Sequence, residues 1–410
     1  MSEILKGNFR AKNEPTLEEK LEKEPTLEEV FKAAAYKKLG GSVTFVKGKG
    51  RGSFLWKGGK ETVKTVPGVP KTEKCNTLAE KITQHLAEAT DIKTGKIGRE
   101  NAVKNAPYYR KTISDLMVAR KAVNAAIVLT GGPSLHRKNP AEIIIKSGFS
   151  GDIVATDGSL GYCLRNSLVP DYVLCLDPHP YRIVRWFGDP DLTVRPEDDY
   201  YRRQDLDPEY WNNETRWNNE LIGLVNHHGK NIKAILSTSV DPTVTKRCVE
   251  SGMDIYWWSP LYDDHAKPES VSMSMWERYK IPCMVTGGNV GTAAWIFAQA
   301  VLERKDVALA GMDFGYAPGT PYFRTQYWYE LQEILGEKAE EAFTKIPNPH
   351  INETWFCDPT YLWFKQIFLD LAGETNCTTY NCTEGGILFG EPIQFIPLKE
   401  FLSKFTLKES

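Results

Sequence analysis

Between residues 125 and 313 the chain alternates short, continuous apolar runs with longer stretches whose apolar residues recur at helical spacing. Seven runs predict strands: Ala125 to Thr130, Asp152 to Thr156, Tyr172 to Leu176, Lys233 to Thr238, Asp254 to Trp258, Cys283 to Thr286 and Asp306 to Ala310. Strands apolar on both faces and separated by helices predict an α/β fold with a mostly parallel sheet, helices covering both sides. One stretch breaks the alternation. Tyr181 to Lys230 is long, polar and rich in Trp, Tyr and Arg, and reads as a lid-like insertion over residues 181–230. Helical patterns flank the alternating region at Thr77 to Ala89 and Pro107 to Lys121, and again at Gln326 to Phe343 and Pro359 to Leu371, before a final segment from Pro397 to Phe405. A short apolar strand is expected at Ile387 to Phe389. The organisation that follows is an N-terminal part (1–112), a central α/β domain (113–320) and a helical C-terminal extension (321–410) that completes it.

The N-terminal part repeats Glu-Pro-Thr-Leu-Glu-Glu at Glu14 and Glu24, each copy holding a Thr-x-x-Glu capping box. Leu27, Val30, Phe31 and Ala34 then fall on one face of a helix expected to start near Thr26, suited to docking or oligomerisation. From Tyr36 to Lys74 stand ten Lys or Arg against two Glu, with glycines clustered between short Val, Phe and Trp runs. This basic hairpin or strap reads first as solvated surface, and second as a contact for a phosphorylated ligand or a nucleic-acid backbone.

Over the whole chain of 410 residues, 51 basic side chains meet 53 acidic ones, so no global field favours nucleic acid or a membrane surface. No apolar run of about 18 residues occurs. The eight cysteines show neither Cys-x-x-Cys pairs nor a disulfide framework. A reducing, cytoplasmic setting is the expectation, and the Asn-x-Thr triplets at Asn213, Asn352, Asn376 and Asn381 then carry no glycosylation meaning. The oligomeric state is not legible.

The chemistry gathers where strands end. Two strands run into Thr-Gly-Gly, first as Gly131-Gly132-Pro133-Ser134 and then as Gly287-Gly288-Asn289-Val290-Gly291-Thr292, each before a helix-like stretch. Glycines let backbone approach an anion, and a helix start offers N–H groups and a positive dipole end, so both turns are candidate phosphate cradles. Gly131, Gly132, Pro133 and Ser134 form the first, and Gly287, Gly288, Asn289 and Thr292 the second. Three strands end in an aspartate, Asp157, Asp177 and Asp313, which makes them tentative ligands for Mg²⁺. Asp157, followed by Gly158, reads equally as a ribose or metal ligand and as a helix cap. Asp177 is the candidate metal ligand or general base, and His179 in Pro-His-Pro the candidate proton carrier. Arg182 and Arg185 follow at once and suit a phosphate or carboxylate clamp. His227-His228 and Asp263-Asp264-His265 suggest zinc, with no further ligand at diagnostic spacing.

In order and spacing these motifs resemble the 6-hydroxymethylpterin diphosphokinase (MptE-like) family, which includes the Maf motility accessory factors, proteins similar to sialyltransferases. Gly131 to Leu135, Ala155 to Ser159, Val169 to Val173 running into Asp177, Gly287 to Thr292, Ala310 to Asp313 and Thr383 to Gly386 carry the resemblance, over about Ile113 to Gly390. It implies a Rossmann-like core and an Mg-assisted, nucleotide-dependent transferase that moves diphosphate from ATP to a hydroxyl of a pterin-like small molecule. The Maf branch implies instead a glycosyltransferase with a CMP-sugar donor, a CMP-linked nonulosonic acid, and a glycan or protein acceptor. A non-catalytic nucleotide-binding module is the third expectation. The chain departs from the diphosphokinase pattern at Cys175-Leu176-Asp177, where that family shows two aspartates separated by one residue.

Overall fold

A computed structural model describes residues 44–46, 54–57, 63–65, 95–116, 121, 123–195, 208–263, 265–266 and 268–406. Its strands are β1 (Thr44–Val46), β2 (Leu55–Trp56), β3 (Val63–Thr65), β4 (Ala125–Leu129), β5 (Asp152–Thr156), β6 (Tyr172–Cys175), β7 (Lys233–Ser237), β8 (Asp254–Pro260), β9 (Cys283–Met284), β10 (Asp306–Ala310), β11 (Thr344–Asn348), β12 (Glu353–Cys357), β13 (Thr378–Asn381) and β14 (Gln394–Phe395). Ten of them form one sheet in the order β14-β13-β10-β4-β5-β6-β7-β8-β9-β2. All its pairings are parallel except β2 against β9. The α/β architecture expected from the sequence is the one observed, and each of the seven expected strands is present.

Alternation within the strands divides the interior into two faces, because successive side chains of a strand point opposite ways. Ala126 and Val128 of β4 join Trp295, Phe297, Phe364 and Phe368 on one face, while Ala125, Ile127 and Leu129 join Leu135, Ile144 and Phe401 on the other. Beyond β5 that second face continues with Val173, Leu236, Phe187 and Leu221. β4 is wholly buried. The helices start where the sequence supplies N-terminal signals: Pro at the first turn of Pro133–Lys138, Pro242–Glu250 and Pro359–Gly373, with Asp241 and Asp358 as N-caps of the last two.

The chain order creates one reversal. From β4 the sheet grows strand by strand toward β9, and the chain then crosses back over the sheet to lay β10 on the other side of β4. The returning helix, Val290–Ile296, packs across β4, β5 and β6 and continues as a π-helical turn to Val301. In open α/β sheets such a switch point leaves a crevice beyond the carboxyl ends of the two strands.

Several expectations are corrected. The helix expected over Pro107 to Lys121 is a 3-10 turn, Ala106–Tyr108, followed by extended chain in which Ile113 N–H donates to Trp257 O and Trp257 N–H to Lys111 O, both at 2.9 Å. Strand β9 has only two residues, and this segment covers the part of β8 that β9 leaves open. Helix Lys96–Asn105, which precedes it, has Gly98, Asn101, Ala102 and Asn105 as its buried face and so shows no apolar periodicity. Ile387 to Phe389 is not a strand. Ile387 N–H instead bonds Asp313 O at 2.7 Å, and the neighbouring strand is β13, rich in Thr and Tyr. The C-terminal part is less helical than expected, since it contributes β13 and β14 to the main sheet and the β11–β12 hairpin.

Of the 181–230 excursion, Ile183, Val184, Phe187, Leu221 and Val225 are core residues, and helix Pro208–His228 is the crossover between β6 and β7. Leu55 and Trp56 of the basic N-terminal segment pair with β9, with Trp56 fully buried, and β1 pairs with β3. The repeat at Glu14 and Glu24, the helices expected near Thr26 and at Thr77 to Ala89, and the glycine clusters of the basic segment lie outside the described residues. No helix among the described residues is long and apolar enough to cross a membrane.

Candidate functional site

The first Thr-Gly-Gly turn lies at the carboxyl ends of β4 and β10, the switch point of the sheet, but protein fills part of its cradle. Hydrogen bonding between β4 and β10 runs on into the turn, with Thr130 N–H on Ala310 O and Gly132 N–H on Gly311 O, both at 3.0 Å. A β-carbon on Gly132 would collide with Gly311 O and Asp313 Oδ2. At the following helix start, Ser134 donates its N–H to Asp313 Oδ2 (2.9 Å) and its hydroxyl to Asp313 Oδ1 (2.5 Å). Burial pushes the Asp313 carboxyl up to about 7 against the pull of those two bonds. Where the sequence alone places donor phosphate on Ser134, the helix start therefore holds a carboxyl of the same chain. Gly131 remains exposed and faces the Gly158 backbone across 3.3 Å from a β-carbon position.

The second turn reaches the same place from the far edge of the sheet. Gly287 and Gly288 take φ of +62° and +84°, values that favour glycine. Gly288 is exposed, with Phe364 and Trp363 against it. Asn289 caps the returning helix, its Oδ1 accepting Thr292 N–H at 2.8 Å. At the second residue of that helix, a β-carbon on Gly291 would lie 3.0 Å from Met312 Cε and 3.3 Å from Thr130 Cγ2. The start of the second helix thus abuts the ends of β4 and β10, next to Thr130 of the first turn. Thr292 points inward, fully buried, with Oγ1 lacking a hydrogen-bond partner.

Two carboxyls follow the next strands, β5 and β6. Asp157 begins helix Asp157–Arg165, yet the cap there is a box formed by Thr156 and Ser159, and Ser159 Oγ also donates to Leu129 O at 2.7 Å. Capping therefore does not account for Asp157. Its Oδ1 accepts Gly158 N–H at 2.7 Å, while the buried Oδ2 has no hydrogen-bond partner, only the weak Cys175 thiol beside it. Burial, reinforced by the negative charge of Asp177, pushes this carboxyl up to about 7 against the opposing pull of Gly158, Cys175 and Arg182. Asp177 is half-buried beyond β6 in a loop fixed by two side-chain bonds: Ser239 Oγ to Leu176 O at 2.7 Å and Asn101 Nδ2 to Pro178 O at 3.0 Å. His179 follows, half-buried.

The surroundings of Arg182 are less legible in the sequence. Arg182 donates to Gln326 Oε1 at 3.3 Å and acts electrostatically on both Asp157 and Tyr361. Tyr361 belongs to helix Pro359–Gly373, whose cap Asp358 accepts Thr360 N–H, Tyr361 N–H and the Tyr316 hydroxyl. No motif marks Gln326 or Tyr361. The Asp358-Pro359 helix start is the one signal that could have drawn attention to this segment.

The tentative metal trio does not assemble. Among the described residues no three His, Cys, Asp or Glu side chains stand close enough to hold a metal ion, and Asp313 is engaged with Ser134. Asp157 and Asp177 fit a smaller role, since Mg²⁺ commonly takes one or two protein carboxylates with the remainder from substrate and water. His227 and His228 pack edge to face, and His265 stacks on Trp56 at 4.3 Å.

No protein-family model matches the chain, and no curated protein matches it. Among solved structures it is similar to the MAf glycosyltransferase from Magnetospirillum magneticum AMB-1, at 16% identity and a TM-score of 0.45. That likeness covers 79% of this chain and 43% of the other, so the chain spans less than half the length of the structure it matches.

Proposed function

We propose that the crevice between β4 and β10 takes the phosphate-bearing part of a nucleotide and that the chain is a nucleotide-dependent transferase. One observation carries this reading: the helix start after the second glycine turn lies against Thr130 of the first, near a buried carboxyl with an unmatched oxygen. Donor phosphate would lie against Gly131, Gly158 and the Val290–Gly291 helix start, where backbone approaches closely and the helix dipole favours negative charge.

For transfer of diphosphate from ATP, the acceptor hydroxyl oxygen attacks the β-phosphorus, the bridge to the α-phosphate breaks and AMP leaves. The hydroxyl proton passes to His179, the candidate proton carrier two residues beyond Asp177. Asp157 and Asp177 would hold Mg²⁺, which when bound supplies charge neutralisation between the phosphates. Catalysis is then mostly positioning and charge stabilisation.

The Ser134–Asp313 pairing favours a second reading, because it removes one of three expected metal carboxylates. In that reading a CMP-linked sugar acid is the donor, CMP leaves, and Asp157 or His179 accepts the acceptor's proton. A panel of ATP, ADP, CMP and a CMP-linked sugar acid, each with and without Mg²⁺, read by thermal shift and nucleotide release, tests both. A ligand at 100 times its Kd stabilises by about 2.7 kcal/mol. AMP release that stops with chelator supports diphosphate transfer, and CMP release that survives chelator supports the second reading. No shift with any member overturns the nucleotide assignment.

A further inference from the structure

We infer that Asn101 and Ser239 are positioning residues of the candidate site, a clamp that sets the direction of the Asp177 carboxylate by holding its backbone from both sides. The inference rests on the nucleotide reading above, in which Asp177 serves the phosphate-bearing part of the ligand. Neither residue belongs to the loop it holds: Asn101 lies on helix Lys96–Asn105, in the N-terminal part of the chain, and Ser239 just beyond β7.

The clamp is a closed circuit. Asn101, almost fully buried, donates from Nδ2 to Pro178 O and to Ser239 O, each at 3.0 Å. Ser239 Oγ donates in turn to Leu176 O at 2.7 Å and lies 2.6 Å from Ser237 Oγ. The carbonyls before and after Asp177 are thus each held by a buried side chain, and the two holders are bonded to each other. Gly98 lets the helix come this close, since a β-carbon there would stand 3.0 Å from Ser239 Cβ. Pro178 adds its own restraint, because the residue before a proline is biased to extended backbone.

The side chain is what stays uncommitted. Among the described residues the half-buried Asp177 carboxylate takes no hydrogen bond and no ion pair. Backbone fastened on both sides of an acid that nothing in the described chain engages is the arrangement that aims the acid at a ligand, where a misplacement of about 1 Å costs about 100-fold. Asn105 supplies the contrast on the same helix. It donates Nδ2 to Thr238 O (3.3 Å) and Val240 O (2.8 Å), again buried carbonyl partners, and neither lies in the Asp177 loop.

The test is a binding cycle on the full chain: wild type, N101A, N105A, D177N and the double variant N101A/D177N, titrated calorimetrically with ADP and CMP in the presence of Mg²⁺, with melting curves to establish folding. N101A and N105A are expected to melt below wild type by similar amounts, but only N101A to weaken the bound nucleotide, roughly tenfold, with D177N weakening it at least as much. Adding N101A to D177N is expected to bring no further loss, because a residue that acts through Asp177 has nothing left to orient, whereas a merely structural contribution would multiply with it. Should N101A lack a cooperative melt, S239A takes its place in the cycle. Folded N101A or D177N that binds as wild type does, losses that multiply, or an equal loss in N105A each overturn the inference and leave the nucleotide reading standing. If the wild type binds neither probe, both fall together.

Discussion

Three buried carboxyls, Asp157, Asp313 and Asp358, are pushed up by burial, to about 7, 7 and 6, but only the last two are repaid in hydrogen bonds at both oxygens. Asp157 keeps one oxygen unmatched, the kind of local cost that proteins retain where a group has work to do. The cost has a pH signature. An unfolded aspartate ionises near 3.8, so a folded form that ionises near 7 binds the proton more tightly. Stability contributed this way is complete below about pH 4, falls as pH rises toward 7, and is flat above. Asp157→Asn removes that loss. The variant should melt about 2 °C or more above wild type at pH 8, with the gap closing by pH 4, and should bind nucleotide more weakly at pH 7. Melting curves that track wild type at every pH would show that Asp157 carries no such cost.

At the scale of elements, the switch point explains why Gly132 is glycine: its φ is an ordinary −72°, so the requirement is space rather than backbone freedom. Gly132→Ala forces a β-carbon into Gly311 O and Asp313 Oδ2 and should destabilise by roughly 1–3 kcal/mol. Gly223→Ala, in open space on helix Pro208–His228, should stabilise by about 0.5–1 kcal/mol. Denaturant titration of the pair checks both signs, and equal midpoints for Gly132→Ala and wild type would mean that β4 and β10 cross more loosely than described. The same elements show what sequence can and cannot reveal. Strands buried on both faces announce themselves as apolar runs, so β4 to β10 were legible to within a few residues. Helix Lys96–Asn105 was not, because it docks through Asn101 and Asn105 onto carbonyls beyond β6 and β7, which leaves no hydrophobic stripe. Pro107 does begin a helical turn, but pairing of Lys111 and Ile113 with Trp257 overrides local propensity. The glycine turns of the candidate site were visible as motifs. That Ser134 is held by Asp313, 179 residues away, and that Gln326 and Tyr361 face Arg182, depends on how the chain crosses back over the sheet, which no local pattern encodes.

For the molecule as a whole, the reversal at β4 makes the sheet depend on its last quarter. β10 lies between β4 and β13, so the strand that closes one side of the crevice is itself covered by residues beyond 370. The C-terminal part also places Trp355, Phe364, Ile367, Phe368 and Leu371 in the same cluster as Val128, Trp295 and Phe297. Fully burying one such side chain is worth about 1.5–3 kcal/mol, and whole domains are stable by only about 5–15 kcal/mol. Losing five of them with the β13 pairing exceeds that margin even if the remaining chain relaxes. A chain ending at Thr320 should therefore show no cooperative thermal transition by circular dichroism and should expose the β10 edge to aggregation, whereas the full chain melts cooperatively. A cooperative melt of the truncated chain near the full-length midpoint would show instead that residues 123–320 form an independent domain and that the crevice stands without its C-terminal wall.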